Sequence, residues 1–244
     1  MKTIKLYLTA CLLLVATMTF AQFANTKAAS STSTNTRSID TNGWSRISVS
    51  YNPLKMVFDI QGVDDLSFTG FSLGYTKGFC VSAQLPLFVE AGINGLYATN
   101  KEEEKKIELK TSLFSLNVPV NLVYKFEIPN SEISIVPYVG INFKGNIIGK
   151  RKLNYTGDLE GISESDLWEA MEDEYGIKQE TNMFDKEEAG GKDAQWKRFQ
   201  IGWQIGVGLN YNKLYVGISY GKDFTELCKK TKVATTSITL GYNF

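Results

Sequence analysis

Residues 233–244, VATTSITLGYNF, alternate large apolar side chains with small or polar ones and end on an aromatic residue. One parity holds Thr236, Ile238, Leu240, Tyr242 and Phe244, and the other holds Thr235, Ser237, Thr239, Gly241 and Asn243. Successive side chains of a β-strand point to opposite faces, so this segment has one apolar and one polar face. The pattern predicts a strand at a boundary between an apolar and a polar medium.

Seven further segments show the same alternation, and it is clearest in Phe199–Tyr211, where no residue breaks the parity. A tilted strand of about 9 to 11 residues crosses a bilayer, which suits the length of this segment. The full set is 46–52, 68–76, 87–97, 114–124, 133–145, 199–211, 214–220 and 233–244. The sequence therefore predicts an all-β fold, an eight-stranded antiparallel transmembrane β-barrel of the outer-membrane type. The alternative is a soluble eight-stranded sandwich or ligand-binding barrel, whose apolar face would be its core.

The connections between the predicted strands alternate between long and short. The long ones are 53–67, 98–113, 146–198 and 221–232, and the short ones are 77–86, 125–132 and 212–213. Outer-membrane barrels have long extracellular loops and short periplasmic turns, so we expect both termini in the periplasm. Outward aromatic residues are predicted to form a girdle at each end: Tyr51, Tyr97, Phe114, Phe143, Phe199 and Tyr220 at one, Tyr75, Tyr124, Tyr211, Tyr242 and Phe244 at the other.

The N-terminus favours the membrane alternative. Lys2 and Lys5 precede the apolar run Leu6–Phe20, and small residues precede Gln22, which is typical of a secretory signal peptide over residues 1–21. Leu8-Thr9-Ala10-Cys11 also matches a lipoprotein cleavage box, although most of the apolar run follows that cysteine. We expect a flexible Ser/Thr/Asn-rich periplasmic lead-in at 22–43, the barrel at 44–244, and outer-membrane lipid as its surroundings.

Two segments resemble a known family. Residues 115–126 (SLNVPVNLVYKF) and 135–140 (IVPYVG) are similar to strands of the PorT-like outer-membrane β-barrel proteins of Gram-negative bacteria, often labelled the porin family. The resemblance implies an eight-stranded outer-membrane barrel, and some members of the family support protein secretion. Leu240, Tyr242 and Phe244 also resemble the C-terminal signal of such barrels, which implies the barrel assembly machinery as a partner during insertion.

Composition excludes several classes of function. The chain has 26 basic and 26 acidic residues, so no basic field is present to hold nucleic acid. It contains no histidine, which argues against His-based catalysis and His-ligated metal, and we expect no enzyme activity, cofactor or metal. Cys80 and Cys228 fall at opposite ends of the predicted barrel, too far apart for a disulfide.

The predicted lumen carries a cluster of charged residues, Arg46, Glu90 and Lys144. These residues can pair and plug the interior of an eight-stranded barrel, or they can line an ion path. The inward glycines Gly202, Gly206 and Gly208 are predicted to make room for large inward side chains such as Tyr138 and Tyr215.

The connection 146–198 holds half of the 26 acidic residues. Ser163 or Ser165 is predicted to begin a short helix that Gly176 ends, with Leu167, Trp168, Met171 and Tyr175 on its apolar side as a candidate interaction face. Three interpretations remain open: a divalent-cation site, a partner-binding face, or a solvated acidic loop whose apolar stripe folds onto the barrel mouth. The mixed charges of 100–110 predict a solvated loop.

We therefore expect a non-enzymatic structural or interaction component of the cell envelope. Its extracellular loops would contact an unknown protein or a surface glycolipid, and the PorT-like resemblance implies an association with protein secretion. The alternative is a narrow passive pore for ions or small solutes, with Arg46, Glu90 and Lys144 near its constriction.

Overall fold

The computed structural model describes residues 42–244, except residues 61, 83, 105 and 158–160. The predicted signal peptide (1–21) and all but the last two residues of the predicted lead-in (22–43) lie outside the described residues.

The described chain consists of ten β-strands and one α-helix. The strands are β1 Trp44–Phe58, β2 Leu66–Cys80, β3 Leu87–Glu104, β4 Ile107–Tyr124, β5 Phe126–Glu127, β6 Ile133–Tyr155, β7 Glu180–Asn182, β8 Phe199–Tyr211, β9 Leu214–Asp223 and β10 Thr231–Asn243, and the helix is α1 Glu164–Tyr175. In this part of the chain, no helix has the length and apolar character needed to cross a membrane.

The eight long strands form one closed antiparallel ring. Neighbours follow the order β4, β3, β2, β1, β10, β9, β8 and β6, and β6 also pairs with β4. The first and last long strands meet, with Ile47 opposite Tyr242 and Val49 opposite Leu240. The short strands β5 and β7 both pair with β6. The predicted eight-stranded antiparallel barrel is confirmed.

The alternation seen in the sequence separates an outer from an inner face. Phe71 and Leu73 of β2 are 61% and 63% exposed on the outside, whereas Asn52 of β1 is buried inside. Tyr97 of the predicted girdle lies opposite Phe114, and the rings of Tyr75 and Phe244 are 6.4 Å apart at the other end. An apolar belt bounded by aromatic side chains therefore surrounds the barrel.

The two ends of the barrel differ in their connections. One end, called the loop end below, carries 59–65, 105–106, 156–198 and 224–230, and the other, called the turn end, carries 81–86, 128–132 and 212–213 with both described termini. The predicted long connection 98–113 is wrong, because β3 and β4 extend into it and leave only 105–106 between them. The solvated loop predicted at 100–110 is therefore mostly strand. The predicted loop 146–198 begins later, at 156, because β6 continues to Tyr155.

Several strands continue past the apolar belt at the loop end. In β1 the apolar side chains change sides there: Val49 points outward, whereas Leu54 and Met56 are buried inside. The pairing of β4 with β6 shifts register between Phe114 and Ser115 of β4, and this shift places a β-bulge in β6. A bulge adds one residue to one strand and so exchanges the faces of the residues beyond it. Because of this bulge, Gly149 faces inward under the connection 156–198. Inward residues such as Leu54 and Met56 give the barrel mouth an apolar lining that the sequence did not predict.

Candidate functional site

A buried ion pair occupies the turn-end half of the lumen. The Arg46 guanidinium binds the Glu90 carboxylate, and both side chains are less than a tenth exposed. Glu90 also accepts hydrogen bonds from Trp44 Nε1 at 2.9 Å and Asn121 Nδ2 at 3.3 Å. The guanidinium carbon lies 3.7 Å from the centre of the Tyr215 ring, a cation–π contact. Two of the three predicted lumen charges are therefore partners.

The third predicted charge, Lys144, is paired elsewhere. Its ammonium lies 2.7 Å from Asp223 Oδ1, and both side chains are buried. The single charge cluster expected from the sequence is thus two separate ion pairs. Sequence reasoning missed Asp223 because it was assigned to a loop, although it has the same parity as the inward Tyr215, Gly217 and Ser219. That parity is the signal that could have found it.

Inward glycines make room for large side chains at two of the three predicted positions. A Cβ at Gly206 would lie 2.4 Å from Tyr138 Cζ, and a Cβ at Gly208 would lie 2.2 Å from Tyr215 Cε2. At Gly202 the neighbour is instead the Asp223 carboxylate, 2.6 Å from the position a Cβ would take. All three contacts are closer than real Cβ atoms tolerate, so a side chain at any of these positions would have to displace its neighbour.

The middle of the lumen encloses a polar cavity of about 120 Å³. Arg46, Glu90, Lys144 and Asp223 line it, together with amide and hydroxyl side chains such as Asn94 and Asn117. A cavity of this volume and polarity has room for several water molecules that would bond the buried polar groups.

Apolar side chains fill the lumen on the turn-end side of this cavity. Phe88 is fully buried there and packs with Val123, Val136 and Tyr215, a group called the floor cluster below. Trp44 extends the cluster, with its ring 4.8 Å from that of Phe88. The lumen is therefore layered, whereas the sequence pattern predicted a mostly polar interior.

A second apolar group, called the mouth cluster below, closes the loop end. Barrel residues Leu54, Met56, Phe68, Leu96, Ala98, Leu113 and Val233 pack there with Met183, Phe184, Ala189, Trp196 and Leu227 from the connections. Residues 183–196, called the cap below, therefore cover the mouth. The backbone fixes the cap too: Met183 N–H donates to Gly149 C=O and Trp196 N–H to Met183 C=O, each at 2.8 Å.

The Trp196 side chain of the cap packs closely against Gly149 of β6. A Cβ on Gly149 would lie 2.7 Å from Trp196 Cε3 and 3.1 Å from the Phe184 ring. Trp196 and Phe184 meet edge to face at 6.4 Å, and the Arg198 guanidinium lies 4.3 Å from the Phe184 ring centre. The glycine and the bulge that turns it inward thus provide the space that Trp196 occupies.

Two carboxylates of the cap, Glu188 and Asp185, accept hydrogen bonds from neighbouring groups. Glu188 accepts hydrogen bonds from the Asn182 backbone N–H at 2.7 Å and from the Lys178 ammonium at 3.2 Å, and these contacts hold its pKa below the usual value. Asp185 accepts from the backbone N–H groups of Glu188 and Glu187, which lower its pKa in the same way. Both carboxylates are therefore stabilised in the ionised form.

The predicted helix is confirmed, with its predicted ends. Ser163 begins it, because its side chain accepts from the Asp166 backbone N–H at 3.1 Å, and Gly176 ends it with a φ of 68°. The predicted interaction face is only partly available: Trp168 is buried, Leu167 and Met171 are half-buried, and Tyr175 is 63% exposed. None of these four side chains belongs to the mouth cluster, so the stripe that reaches the mouth is Met183, Phe184, Ala189 and Trp196.

The remaining candidates lie apart from the lumen. Leu240, Tyr242 and Phe244 are exposed on the outer face of the barrel near the turn end. Cys80 adjoins the floor cluster and Cys228 the mouth cluster, so their predicted placement at opposite ends of the barrel is confirmed, and both are free thiols. Within the described residues, no group of three or more Cys, Asp or Glu side chains is arranged to hold a metal ion.

The solved structures similar to this one include Ail, the attachment invasion locus protein of Yersinia pestis (19% identity, 83% of this chain and 99% of Ail, TM-score 0.42). They also include Neisserial surface protein A (13% identity, 82% and 97%, TM-score 0.43) and the outer membrane enzyme PagL (12% identity, 79% and 98%, TM-score 0.40). No curated protein matches the chain.

The family assignment rests on a match to a family model. The model described as outer membrane protein beta-barrel domain matches residues 8–244, nearly the whole chain. The closed eight-stranded ring with its outward apolar belt agrees with that match. The chain belongs to the outer membrane protein beta-barrel domain family, and it is an outer-membrane β-barrel protein.

Proposed function

We propose that this barrel is a non-enzymatic structural or interaction component of the envelope that works through the cap and helix α1 at its loop end. In this proposal the loop end faces the outside and both termini face the periplasm. One observation carries the proposal: apolar side chains fill the lumen on both sides of the central cavity, at the floor cluster and the mouth cluster. A barrel filled in this way offers its loop end, rather than its interior, as the working surface.

The loop end presents a defined surface to a partner. The acidic side chains of α1 are all exposed, and Tyr175 adds an exposed aromatic ring at the end of the helix. The mouth cluster anchors 183–196 and Ser163 caps the helix, so the backbone of the cap and of α1 is ordered before any partner arrives, which reduces the entropy lost on binding. The partner is a protein or a surface glycolipid, and the PorT-like resemblance adds an association with protein secretion.

The chemistry of the lumen favours a non-enzymatic role. The buried charges Arg46, Glu90, Lys144 and Asp223 are committed to ion pairs with each other, and the chain has no histidine to serve as a general base. Each pair joins two strands that have one strand between them in the ring, β1 with β3 and β6 with β9.

The second candidate function is a narrow passive pore for ions or small solutes. The polar cavity favours it, because charged and amide side chains line about 120 Å³ of its interior. Conduction would require the cap and the floor cluster to move aside.

Planar-bilayer recording separates the two functions. We expect no discrete conductance from the refolded wild-type barrel, and none from Glu90→Gln or Lys144→Gln. Current steps in the wild type whose size changes in either variant would establish the pore and reject the proposal. The positive arm replaces Tyr175 with a photo-cross-linking residue in living cells, with the turn-end Tyr242 as the matched position. A specific adduct from position 175 alone is expected, and equal adducts from both positions would contradict a role for the loop end.

A further inference from the structure

One side of the barrel wall is taller than the other. The pairing of β6 with β8 ends at Gly145 opposite Phe199, but β6 continues to Tyr155 alongside β4. The hairpin of β3 and β4 rises with it, up to Glu104 and Ile107. Strands β3, β4 and β6 therefore project beyond the apolar belt, as β1, β2 and β10 also do, and the outer face of β3, β4 and β6 points sideways, toward the surrounding lipid.

Rows of directly opposed residues define that outer face. The last apolar row is Tyr97, Phe114 and Ile148; the next is Thr99, Ser112 and Lys150; and the third is Lys101, Lys110 and Lys152. Opposed residues in an antiparallel sheet lie on the same face with Cβ atoms about 5 Å apart. Four lysines, called the lysine face below, are thus grouped just above the belt: Lys101, Lys110, Lys150 and Lys152.

Within the described chain, two of these lysines form no ion pair, although each lies beside a carboxylate: Glu108 is two residues from Lys110 on the same face of β4, and Glu180 of β7 lies directly opposite Lys152. Lys101 pairs with Glu108 at 3.1 Å and Lys150 with Glu180 at 2.5 Å. Lys110 and Lys152 lie directly opposite each other, and among the described residues neither forms an ion pair. Like charges in directly opposed positions destabilise a strand pair, so an additional anion between the two ammonium groups would stabilise this one.

The height of the pair above the belt identifies the source of that anion. Lys110 and Lys152 lie four residues beyond Phe114 and Ile148. At about 3.3 Å per residue and a tilt of about 40°, the rise along the membrane normal is about 10 Å. The headgroup layer is about 5 to 8 Å thick on each side, and lysine side chains reach back toward the bilayer. Both ammonium groups can therefore meet lipid headgroups.

We propose that the lysine face binds the phosphate groups of membrane lipids, with Lys110 and Lys152 as the two residues that hold the phosphate. Its sideways orientation at headgroup level favours lipid over a soluble protein partner. The proposal is independent of the partner proposed for the cap and of which side of the membrane the loop end faces, since phosphate-bearing lipids occur in both leaflets.

Native mass spectrometry of the folded barrel tests this proposal with two lipids of identical acyl chains. Phosphatidic acid carries a phosphate headgroup, and diacylglycerol does not. We expect selective binding of phosphatidic acid, reduced on the order of 30-fold in Lys110→Gln/Lys152→Gln, because each lysine near a membrane surface contributes roughly fivefold in affinity. The charge-preserving Lys110→Arg/Lys152→Arg should retain it. The matched control is Lys186→Gln/Lys192→Gln, which removes two exposed charges from the cap region and should bind like wild type.

Three results would overturn the proposal. Equal phosphatidic acid affinity in the Lys110/Lys152 and Lys186/Lys192 glutamine variants would show that the lysine face does not select the lipid. Inorganic phosphate that competes as tightly as the lipid would identify a free-anion site. A change in the dimer population, with lipid binding unchanged, would identify the face as a contact between two copies of the chain. Heat-modifiable migration of each variant on gels provides the check that all are folded.

Discussion

The substitution Trp196→Ala should release the cap from the barrel mouth. Trp196 is 5% exposed, packs on Phe184, and fills the space above Gly149. Truncating a buried tryptophan to alanine costs about 3 to 5 kcal/mol. Because the cap docks through this one cluster, we expect the loss to fall on local opening of the cap rather than on unfolding of the barrel.

Hydrogen exchange at single amides measures that opening. The reporters are the N–H groups of Met183, Trp196 and Lys197, which donate to Gly149, Met183 and Leu227. At about 1.4 kcal/mol per decade, a loss of about 3 to 5 kcal/mol lowers their protection by roughly two to three and a half decades. Amides of β8 and β10 in the belt should keep their wild-type protection.

Two variants make this result specific. Trp168→Ala removes another buried tryptophan of the same connection, one outside the mouth cluster, and should leave the three reporters protected. Gly149→Ala adds a methyl group 2.7 Å from the Trp196 ring and should expose the same reporters without changing the cap sequence. Unchanged protection in Trp196→Ala, or an equal loss throughout the barrel strands, would refute the claim that Trp196 docks the cap on the barrel mouth.

Three further predictions follow from the buried pair, the cap carboxylates and the helix cap. Asp223→Asn leaves the Lys144 ammonium buried without its counter-charge and should lower the free energy of unfolding by about 3 to 5 kcal/mol in urea titrations, whereas Lys144→Met/Asp223→Leu should recover most of it. The pKa of Glu188 is depressed in the folded protein, so its contribution is present above the unfolded pKa and is lost as the pH falls through the folded pKa. The Asn182 amide should therefore lose protection, relative to its intrinsic exchange rate, as the pH falls through that depressed pKa, and Glu188→Gln should remove this dependence. Ser163→Ala removes the helix cap and should destabilise α1 by about 1 kcal/mol, seen as faster exchange of its amides, while Ser165→Ala should have a smaller effect.

Sequence reasoning could not predict the cap or the extensions of β3, β4 and β6 beyond the apolar belt. Met183, Phe184 and Trp196 come from turns and irregular chain, where no two- or 3.6-residue period marks them as buried. The strand residues within 100–110 lie beyond the apolar belt, so their outer side chains are charged. Apolar and polar side chains therefore no longer alternate there. The same segment therefore predicts a loop locally and forms two strands because β6 extends beside it.

The sequence by itself determined the eight strands, their inner and outer faces, and the two ends of α1. These features are local: each strand's alternation and each cap residue act within a few neighbouring positions. Only the tertiary structure decided that Lys144 pairs with Asp223 while Glu90 pairs with Arg46. Only it placed Trp196 over Gly149 as well. The physical reason is that closing the ring sets the relative height of distant strands, and that height, which no local pattern encodes, selects the groups that meet inside.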